Sequence, residues 1–229
     1  MIISAVGAGG KTTLLRKTAE RLSLCGETVA LTTTTKIRKP ELSDIREWEK
    51  NGGRIRTFGT PVEEGKLAAP SEEEFRALFR HFRHVLIEAD GAKRYPLKVP
   101  ADREPVIRKE TELVVCVAGM SALGRPFREA CFRWELLPEP LRDGTRLITE
   151  EDMVQILGSD WGGRKGASGF PYRVFLNQCD TAEQQERAMR ILELLRTRWG
   201  VEGDCGALQN GAVELLHWTN CPKSTLKDI

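Results

Sequence analysis

The feature that most constrains this chain is a glycine-rich run near its start, residues 6–13, which reads VGAGGKTT. A short apolar segment precedes the run, and a helical pattern of leucines follows it. Glycines let backbone N–H groups turn towards one point without a Cβ clash, and the N-terminus of a helix adds partial positive charge. A strand, a glycine turn and a helix that opens with lysine and threonine together predict a P-loop, which binds nucleotide phosphates.

The backbone of this run is predicted to surround the phosphates, and the residues are Gly7, Ala8, Gly9, Gly10, Lys11, Thr12 and Thr13. The Lys11 side chain is predicted to reach the β- and γ-phosphates as a catalytic group, and the Thr12 hydroxyl to coordinate Mg²⁺. The strict pattern G-x-x-x-x-G-K-[ST] has glycine where this chain has Ala5, so Gly7 and Gly9 must supply the flexibility. A glycine turn with a purely structural role is the alternative, which the flanking strand and helix disfavour.

Apolar segments typical of strands alternate with helical patterns along the chain, which predicts a parallel sheet with helices on both faces. The predicted strands are 2–6, 28–33, 54–58, 84–88, 113–118 and 173–177, with a weak one near 206–208. The predicted helices are 11–24, 72–82, 150–157 and 182–199. We therefore predict an α/β, three-layer P-loop NTPase-like fold, whose mostly parallel sheet is flanked by helices.

The length and composition suit one domain. The 229 residues are 40% apolar, enough for a single α/β core, and no linker divides them. We predict one P-loop nucleotide-binding domain over residues 1–229, with an irregular elaboration at about 119–170. Within it, the glycine-rich residues 158–170 predict a mobile surface loop near the nucleotide or a substrate.

Charge and cysteine usage exclude several classes of function. The net charge is +2 with no concentrated basic block, which argues against nucleic acid as a partner. The six cysteines are scattered and contain no C-x-x-C pair, so neither a disulfide framework nor a structural zinc site is predicted. A signal peptide does not fit before the first strand, and no apolar run approaches the roughly 18 residues of a membrane helix. These features predict a cytoplasmic protein without a membrane partner.

A second chemical motif is VLIEADGAK at residues 85–93, which places two carboxylates directly after an apolar strand. Ligands bind at the carboxyl ends of the strands in open parallel sheets. A carboxylate there can hold Mg²⁺, directly or through water, and can orient an attacking group. Glu88 and Asp90 are therefore predicted to be metal-binding and catalytic, although the pattern does not decide which is the main metal residue. An ordinary polar loop is the alternative.

The segment FLNQCD at residues 175–180 resembles the N-K-x-D motif of guanine-binding P-loop proteins. Asn177 and Asp180 are kept, whereas Gln178 replaces the lysine whose stem packs along the base. The motif predicts nucleobase recognition, with guanine slightly ahead of adenine. Capping of the following helix, beside Thr181, is the alternative role for Asp180.

Polar and basic residues near the same edge of the sheet are candidates for the substrate side. Residues 32–35 are four threonines at the end of the second strand, although β-propensity explains the first two equally well. Prolines stiffen residues 93–100, which suits a loop that presents cations to an anion, although a solvated basic loop fits as well. The residues predicted to face a substrate or phosphate are Thr35, Lys36, Lys93, Lys98 and Arg133.

Four of these motifs together resemble the selenium-dependent hydroxylase accessory protein family. They are VGAGGKTT at 6–13, TTTTK at 32–36, EADGAK at 88–93 and NQCD at 177–180. The resemblance extends from Ile3 to about Leu208. The segment after Leu208 departs from the family pattern, and the family usually has a short lead-in before the first strand, which this chain begins almost without. It implies a nucleotide-using accessory factor that helps to mature selenium-dependent molybdenum hydroxylases or their cofactor. Those hydroxylases, or the proteins that build their cofactor, are then the expected protein partners.

Three functions remain open at this level. The first is a maturation NTPase that uses Mg²⁺ with GTP or ATP. The second is a small-molecule kinase or ATP-dependent ligase, with basic residues that bind an acidic acceptor. The third is a module that binds a nucleotide-bearing molybdenum cofactor through its pyrophosphate and does not hydrolyse it. A homodimer across the nucleotide is compatible with each of them.

Overall fold

The computed structural model describes residues 1–39, 52–63 and 65–209. The strands are β1 (Ile2–Gly7), β2 (Val29–Thr33), β3 (Ile37–Arg38), β4 (Ile55–Thr57), β5 (Thr60–Glu63), β6 (Lys66–Ala68), β7 (His84–Glu88), β8 (Leu97–Lys98), β9 (Leu113–Gly119), β10 (Cys131–Phe132), β11 (Tyr172–Asn177) and β12 (Glu202–Cys205). The helices are α1 (Lys11–Leu24), α2 (Glu72–His81), α3 (Phe127–Ala130), α4 (Glu150–Gly158) and α5 (Ala182–Trp199). Three short 3₁₀ helices cover Met120–Ala122, Trp134–Leu136 and Glu139–Leu141.

Seven parallel strands form the central sheet, in the order β12-β11-β9-β1-β7-β2-β4. β1 lies at the centre, between β7 and β9, so the chain reverses its direction of winding at this point. The crevice at such a switch point is where open α/β sheets bind their ligands. The fold prediction is confirmed: the chain is α/β, with a parallel sheet flanked by helices in a three-layer, P-loop NTPase-like arrangement.

Alternating residues of the strands pack against helices on opposite faces of the sheet. On one face, Leu14, Leu15 and Leu22 of α1 pack with Ile3 and Leu86 of the strands. On the other face lie α2, through Phe75 and Leu78, and the pair α4 and α5. Because side chains of a strand point alternately to the two faces, each buried strand needs apolar residues at nearly every position. This explains the continuous apolar runs of the sequence.

Local sequence signals explain where the helices begin. Ser71, Thr149 and Thr181 each accept a hydrogen bond from the backbone N–H three residues later, and a side chain at that position bonds back to the cap. These are capping boxes, which satisfy two otherwise unpaired N–H groups. By contrast, the N-cap of α1 is Gly10, which has no side chain with which to cap the helix.

Two expectations from the sequence need correction. The weak strand expected near 206–208 is instead β12, Glu202–Cys205, which pairs with β11 although it contains only one strongly apolar residue. The glycine-rich residues 158–170, expected as a surface loop, lie only partly at the surface: Gly166 and Gly169 are exposed, whereas Gly162 and Ala167 are buried. A Cβ on Gly163 would lie 2.9 Å from Cys116 Sγ, so glycine is needed for this segment to pack against the sheet.

Small sheets that the sequence analysis did not predict complete the described structure. β3, β6 and β5 form an antiparallel sheet, and β8 pairs in parallel with β10. Among the described residues there is no helix both long enough and apolar enough to span a bilayer.

Candidate functional site

The glycine-rich turn joins β1 to α1 at the centre of the sheet. Gly7, Gly9 and Gly10 have φ values of 90°, 75° and 131°, a region that L side chains rarely adopt. A Cβ on Gly9 would lie 2.3 Å from the backbone nitrogen of Gly119, so this glycine is required by close packing as well as by φ. Ala5, where the strict motif has glycine, lies fully buried within β1, and the turn begins only at Gly7. The departure from the motif therefore falls on a strand residue that has no need of glycine.

Backbone hydrogen bonds fix the turn to neighbouring loops. Gly9 N donates to Tyr95 O at 2.9 Å, and Gly119 N donates to Pro96 O at 2.7 Å. Ala8 N donates to Val117 O of β9 at 2.8 Å. The first-turn N–H groups of α1 at Lys11, Thr12 and Thr13 lack carbonyl partners within the helix by its geometry. Unpaired N–H groups and the positive end of a helix dipole are features that favour an anion at such a position.

Lys11 folds back over the turn. Its Nζ donates to Gly7 O at 2.6 Å and lies 3.1 Å from Asp90 Oδ1, and the side chain is only 3% exposed. Asp90 also accepts a hydrogen bond from Gly7 N at 3.1 Å through its other oxygen. Asp90 therefore compensates the buried lysine charge and holds the start of the turn.

Thr12 and Glu88 meet across the sheet edge. The Thr12 hydroxyl donates to Glu88 Oε2 at 2.7 Å, and Glu88 ends β7, the neighbour of β1. Burial raises the pKa of Glu88, and the Lys11 charge and the Thr12 hydrogen bond oppose this effect. The structure thus separates the two carboxylates that the sequence analysis treated alike, since Glu88 contacts the Thr12 hydroxyl and Asp90 contacts lysines.

A chain of alternating charges leads from Asp90 to the surface. Lys98 Nζ lies 2.8 Å from Asp90 Oδ2 and 2.8 Å from Glu104 Oε2, with its side chain 1% exposed. Arg133 then pairs with both oxygens of Glu104. Burial would raise the pKa of Glu104, but the hydrogen bonds from Arg133 and Lys98 hold it at about 2. Sequence reasoning gave Glu104 no role at the site, because its two partners become adjacent only through the pairing of β8 with β10.

The sequence-predicted basic residues divide into two groups. Lys98 and Arg133 are engaged in the internal ion pairs just described, so in this arrangement they do not face an external anion. Lys93 is exposed at φ 45°, with its Nζ 5.4 Å from the centre of the Phe132 ring, and Lys36 is exposed beyond β2. Lys93 and Lys36 are therefore exposed to solvent, unlike Lys98.

The threonine run mostly fixes the backbone. Thr33 Oγ1 donates to Glu88 O at 2.8 Å, and Thr34 Oγ1 donates to Val106 O at 2.8 Å. Thr35 N donates to Thr33 Oγ1 at 2.9 Å. The run therefore holds the end of β2 against the end of β7 and so positions the Glu88 carboxylate.

Of the two residues predicted to recognise a base, Asn177 is hydrogen-bonded to the glycine turn. Asn177 is buried, its Nδ2 donates to Gly9 O at 2.7 Å, and its Oδ1 accepts from Leu208 N at 3.1 Å. Gln178 adopts φ 65° and accepts from the Ser121 hydroxyl at 2.5 Å. Asp180 is exposed at the start of α5. Asn177 therefore has a clear structural role, joining the turn to the loop after β12.

The fold and this edge define the class: an α/β protein of the three-layer, P-loop NTPase-like type, with a glycine turn, lysine and threonine facing a strand-end carboxylate. Comparison with known proteins gives the family. Residues 3–135 match the family model described as YqeC protein. The uncharacterized protein YqeC of Escherichia coli (strain K12) is 30% identical in an alignment 223 residues long. The match covers 84% of this chain and 82% of the relative. The chain belongs to the YqeC protein family.

Proposed function

We propose that this protein binds a nucleoside triphosphate with Mg²⁺ at the glycine turn, and uses it as an accessory factor in the maturation of selenium-dependent molybdenum hydroxylases or their cofactor. The observation that carries the nucleotide site is the hydrogen bond of 2.7 Å between Thr12 and Glu88, beside the buried Lys11. These three groups stand at the end of the central strand, where the sheet changes its direction of winding. A hydroxyl, a carboxylate and a lysine are the groups that a Mg²⁺-triphosphate requires.

The donor set at this edge fits Mg²⁺. The Thr12 hydroxyl and the Glu88 carboxylate are hard oxygen ligands, and their contact places both within reach of one ion. Within the described residues no group of three or more His, Cys, Asp and Glu side chains is placed to hold a metal. Mg²⁺ commonly binds through one or two protein ligands together with phosphate oxygens, so two ligands are enough here. When bound, Mg²⁺ supplies neutralisation of phosphate charge.

The protein residues have distinct tasks in this proposal. Lys11 exchanges its contacts with Gly7 O and Asp90 for the phosphates, and Asp90 keeps Lys98 as its counter-ion at 2.8 Å. The lysine can therefore move without leaving Asp90 as an unpaired buried charge, which is costly in a protein interior. Glu88 must be ionised to act as a ligand. Burial raises its pKa, whereas the positive charge of the nearby Lys11 favours the ionised form. Catalysis at such sites consists mainly of positioning and charge stabilisation.

The base is proposed to lie against the loops after β11 and β12, where Asn177 connects the two to the glycine turn. Asp180 is the residue that would accept hydrogen bonds from guanine, and its exposed position at the start of α5 leaves it accessible. The role in hydroxylase maturation is supported by the resemblance of the four motifs, and membership of the YqeC family is compatible with it.

Thermal unfolding with and without MgATP or MgGTP tests the nucleotide site. A ligand at 100 times its Kd stabilises the folded protein by about 2.7 kcal/mol. For a chain of this size that is a shift of roughly 5–10 °C. Lys11→Ala should abolish the shift, whereas Lys17→Ala, at an exposed lysine of the same helix that pairs with Glu20, should retain it. Equal shifts for the two variants would refute the proposal.

Three further measurements address the chemistry and the pathway. Mass spectrometry of ligand released from freshly purified protein identifies the base and detects a nucleotide-bearing cofactor. Nucleotide turnover that rises in stoichiometric proportion to an acidic small molecule would favour a kinase or ligase instead. In a host lacking this gene, selenium-dependent hydroxylase activity should be restored by the wild type and not by Lys11→Ala. Restoration by both would reject the role of the nucleotide site in maturation.

A further inference from the structure

Two cysteines that the proposed nucleotide site does not use lie next to each other at its base side. Cys179 follows Asn177 and Gln178 in the loop after β11, and Cys205 is the last residue of β12. The two strands are parallel neighbours, with Cys205 in register with Leu176. Cys179 N donates to Gly206 O at 3.2 Å, and Gly206 N donates to Leu176 O at 2.9 Å. The loop therefore folds back over the end of β12, where the Cys179 and Cys205 side chains interact.

The thiols differ in exposure and in ionisation. Cys179 is fully buried, with its Sγ 3.4 Å from Leu176 O, whereas Cys205 is partly exposed beside the exposed Met189, whose Sδ lies 3.9 Å from its Sγ. The interaction between the thiols lowers the pKa of Cys205 to about 7, against the opposing effect of burial, and raises the pKa of Cys179. Cys205 is thus the partly exposed partner that ionises more readily, and Cys179 is the buried partner that holds its proton. This is the arrangement in which a reactive cysteine stands beside a resolving cysteine.

We propose that Cys179 and Cys205 form a peroxide-reactive thiol pair that closes reversibly into an intramolecular disulfide between the loops after β11 and β12. The Cys205 thiolate attacks one oxygen of a hydroperoxide, the O–O bond breaks, and Cys205 becomes a sulfenic acid while hydroxide or alkoxide leaves. The Cys179 sulfur then attacks the Cys205 sulfur, the S–O bond breaks, and the Cys179 proton leaves with the oxygen as water. The peroxide gains two electrons, the two thiols lose two, and a dithiol reductant reverses the change.

Two other cysteines, Cys116 and Cys131, serve as internal controls for the oxidation of Cys205. Cys116 lies inside β9 and Cys131 inside β10, both 1% exposed. Burial raises the pKa of Cys116 to about 12 and raises that of Cys131 as well. Because only the thiolate is the nucleophile, these two residues are expected to stay reduced under conditions that oxidise Cys205.

The position of the pair connects it to the nucleotide, and this part of the inference rests on the proposed function. A disulfide requires an S–S distance of about 2.05 Å, so the two sulfurs must approach from non-bonded contact. The Cys179 loop carries Asn177, which holds Gly9 O of the glycine turn at 2.7 Å and Leu208 N at 3.1 Å. Closing the pair therefore strains the loops proposed to hold the base, and we expect nucleotide affinity to fall by about threefold or more, which is about 0.7 kcal/mol.

The experiment treats the full-length protein with hydrogen peroxide, blocks remaining thiols and digests with trypsin plus a glutamate-specific protease. Cleavage after Glu202 and Glu214 separates the Cys205 peptide, 203–214, from Cys221, and residues 174–183 carry Cys179. We expect a crosslink between these two peptides that is two hydrogens lighter than their sum and is lost on reduction. Cys205→Ser should abolish it, and Cys179→Ser should instead accumulate a sulfenic acid on Cys205 that dimedone traps. The peptides of Cys116 and Cys131 should be alkylated as in untreated protein.

Each outcome decides a separate part of the inference. Crosslinks to other cysteines only, or oxidation of Cys205 that never proceeds to a disulfide in the wild type, would overturn the thiol pair. A serine variant that fails to fold does not remove the test, because the wild-type crosslink is measured directly. Nucleotide affinity that is equal in reduced and oxidised protein would overturn the link to the site. Absence of nucleotide binding in the reduced protein would refute the proposed function but not the thiol pair, because the crosslink is detected by peptide mass and does not depend on nucleotide.

Discussion

The buried chain of charges beside the glycine turn makes a quantitative prediction about Glu104. The perturbation is Glu104→Gln, which keeps the size of the side chain and removes its charge. Glu104 has a pKa of about 2 in the folded protein, against an ordinary value of 4.5, because Arg133 and Lys98 bind its ionised form and outweigh the opposing effect of burial. The shift is about 2.5 units, and at 1.36 kcal/mol per unit the charged form contributes about 3 kcal/mol of folding stability at neutral pH.

The sign of the pH dependence follows from the direction of the shift. A carboxyl group with a lowered pKa stabilises the fold above its unfolded pKa, and that contribution is lost as the pH falls towards the folded value. With values of 4.5 and about 2, the contribution falls from about 3 kcal/mol at pH 7 to about 1 kcal/mol at pH 3. Glu104→Gln should therefore destabilise strongly at neutral pH and much less in acid.

The assay is urea-induced unfolding of the wild type and the variant at several pH values between about 7 and 3. Glu139→Gln is the matched control, because this glutamate pairs with Arg142 at 3.0 Å but its side chain is 85% exposed. An exposed pair of this kind contributes less than about 1 kcal/mol. Two results would refute the argument that the ion pairs stabilise the fold. One is that Glu104→Gln lowers the free energy of unfolding no more than the control does at pH 7; the other is that it lowers this free energy equally at pH 3 and pH 7.

Three further predictions concern the turn and its neighbours. Asn177→Ala should lower the free energy of unfolding by about 1–3 kcal/mol in denaturant titrations, because two buried backbone groups lose their partner. Gly9→Ala should cost at least about 2 kcal/mol more than Gly53→Ala, since both glycines have positive φ but only a Cβ on Gly9 meets backbone, Gly119 N at 2.3 Å. Equal destabilisation by the two substitutions would show that the structure around Gly9 accommodates a Cβ without strain. Mg²⁺-dependent nucleotide binding, followed by calorimetry from neutral pH to below about 4.5, should weaken as the pH falls through the raised pKa of Glu88. The protonated form of Glu88 is not a metal ligand, so a flat profile would contradict its role.

Most of the architecture could be predicted from local sequence patterns. The helices at 11–24 and 182–199 and the strand at 84–88 were expected at the bounds the structure shows, since each has strong periodicity or an apolar run with clear end signals. β12 was misplaced, because its residues Glu202–Cys205 carry no apolar pattern and are held in the sheet by pairing with β11. The two-residue strands β8 and β10 were missed for the same reason, since long-range pairing defines them.

The sequence by itself determined the presence of the glycine turn, the lysine and threonine that follow it, and the strand that ends in two carboxylates. These follow from residue types at fixed spacing, which the chain carries locally. Only the tertiary structure decided which carboxylate does what: Glu88 meets Thr12 across two neighbouring strands, whereas Asp90 is enclosed by Lys11 and Lys98. The physical reason is that burial and charge pairing depend on which strands and loops are adjacent, and adjacency between residues about 80 positions apart is a property of the sheet order alone.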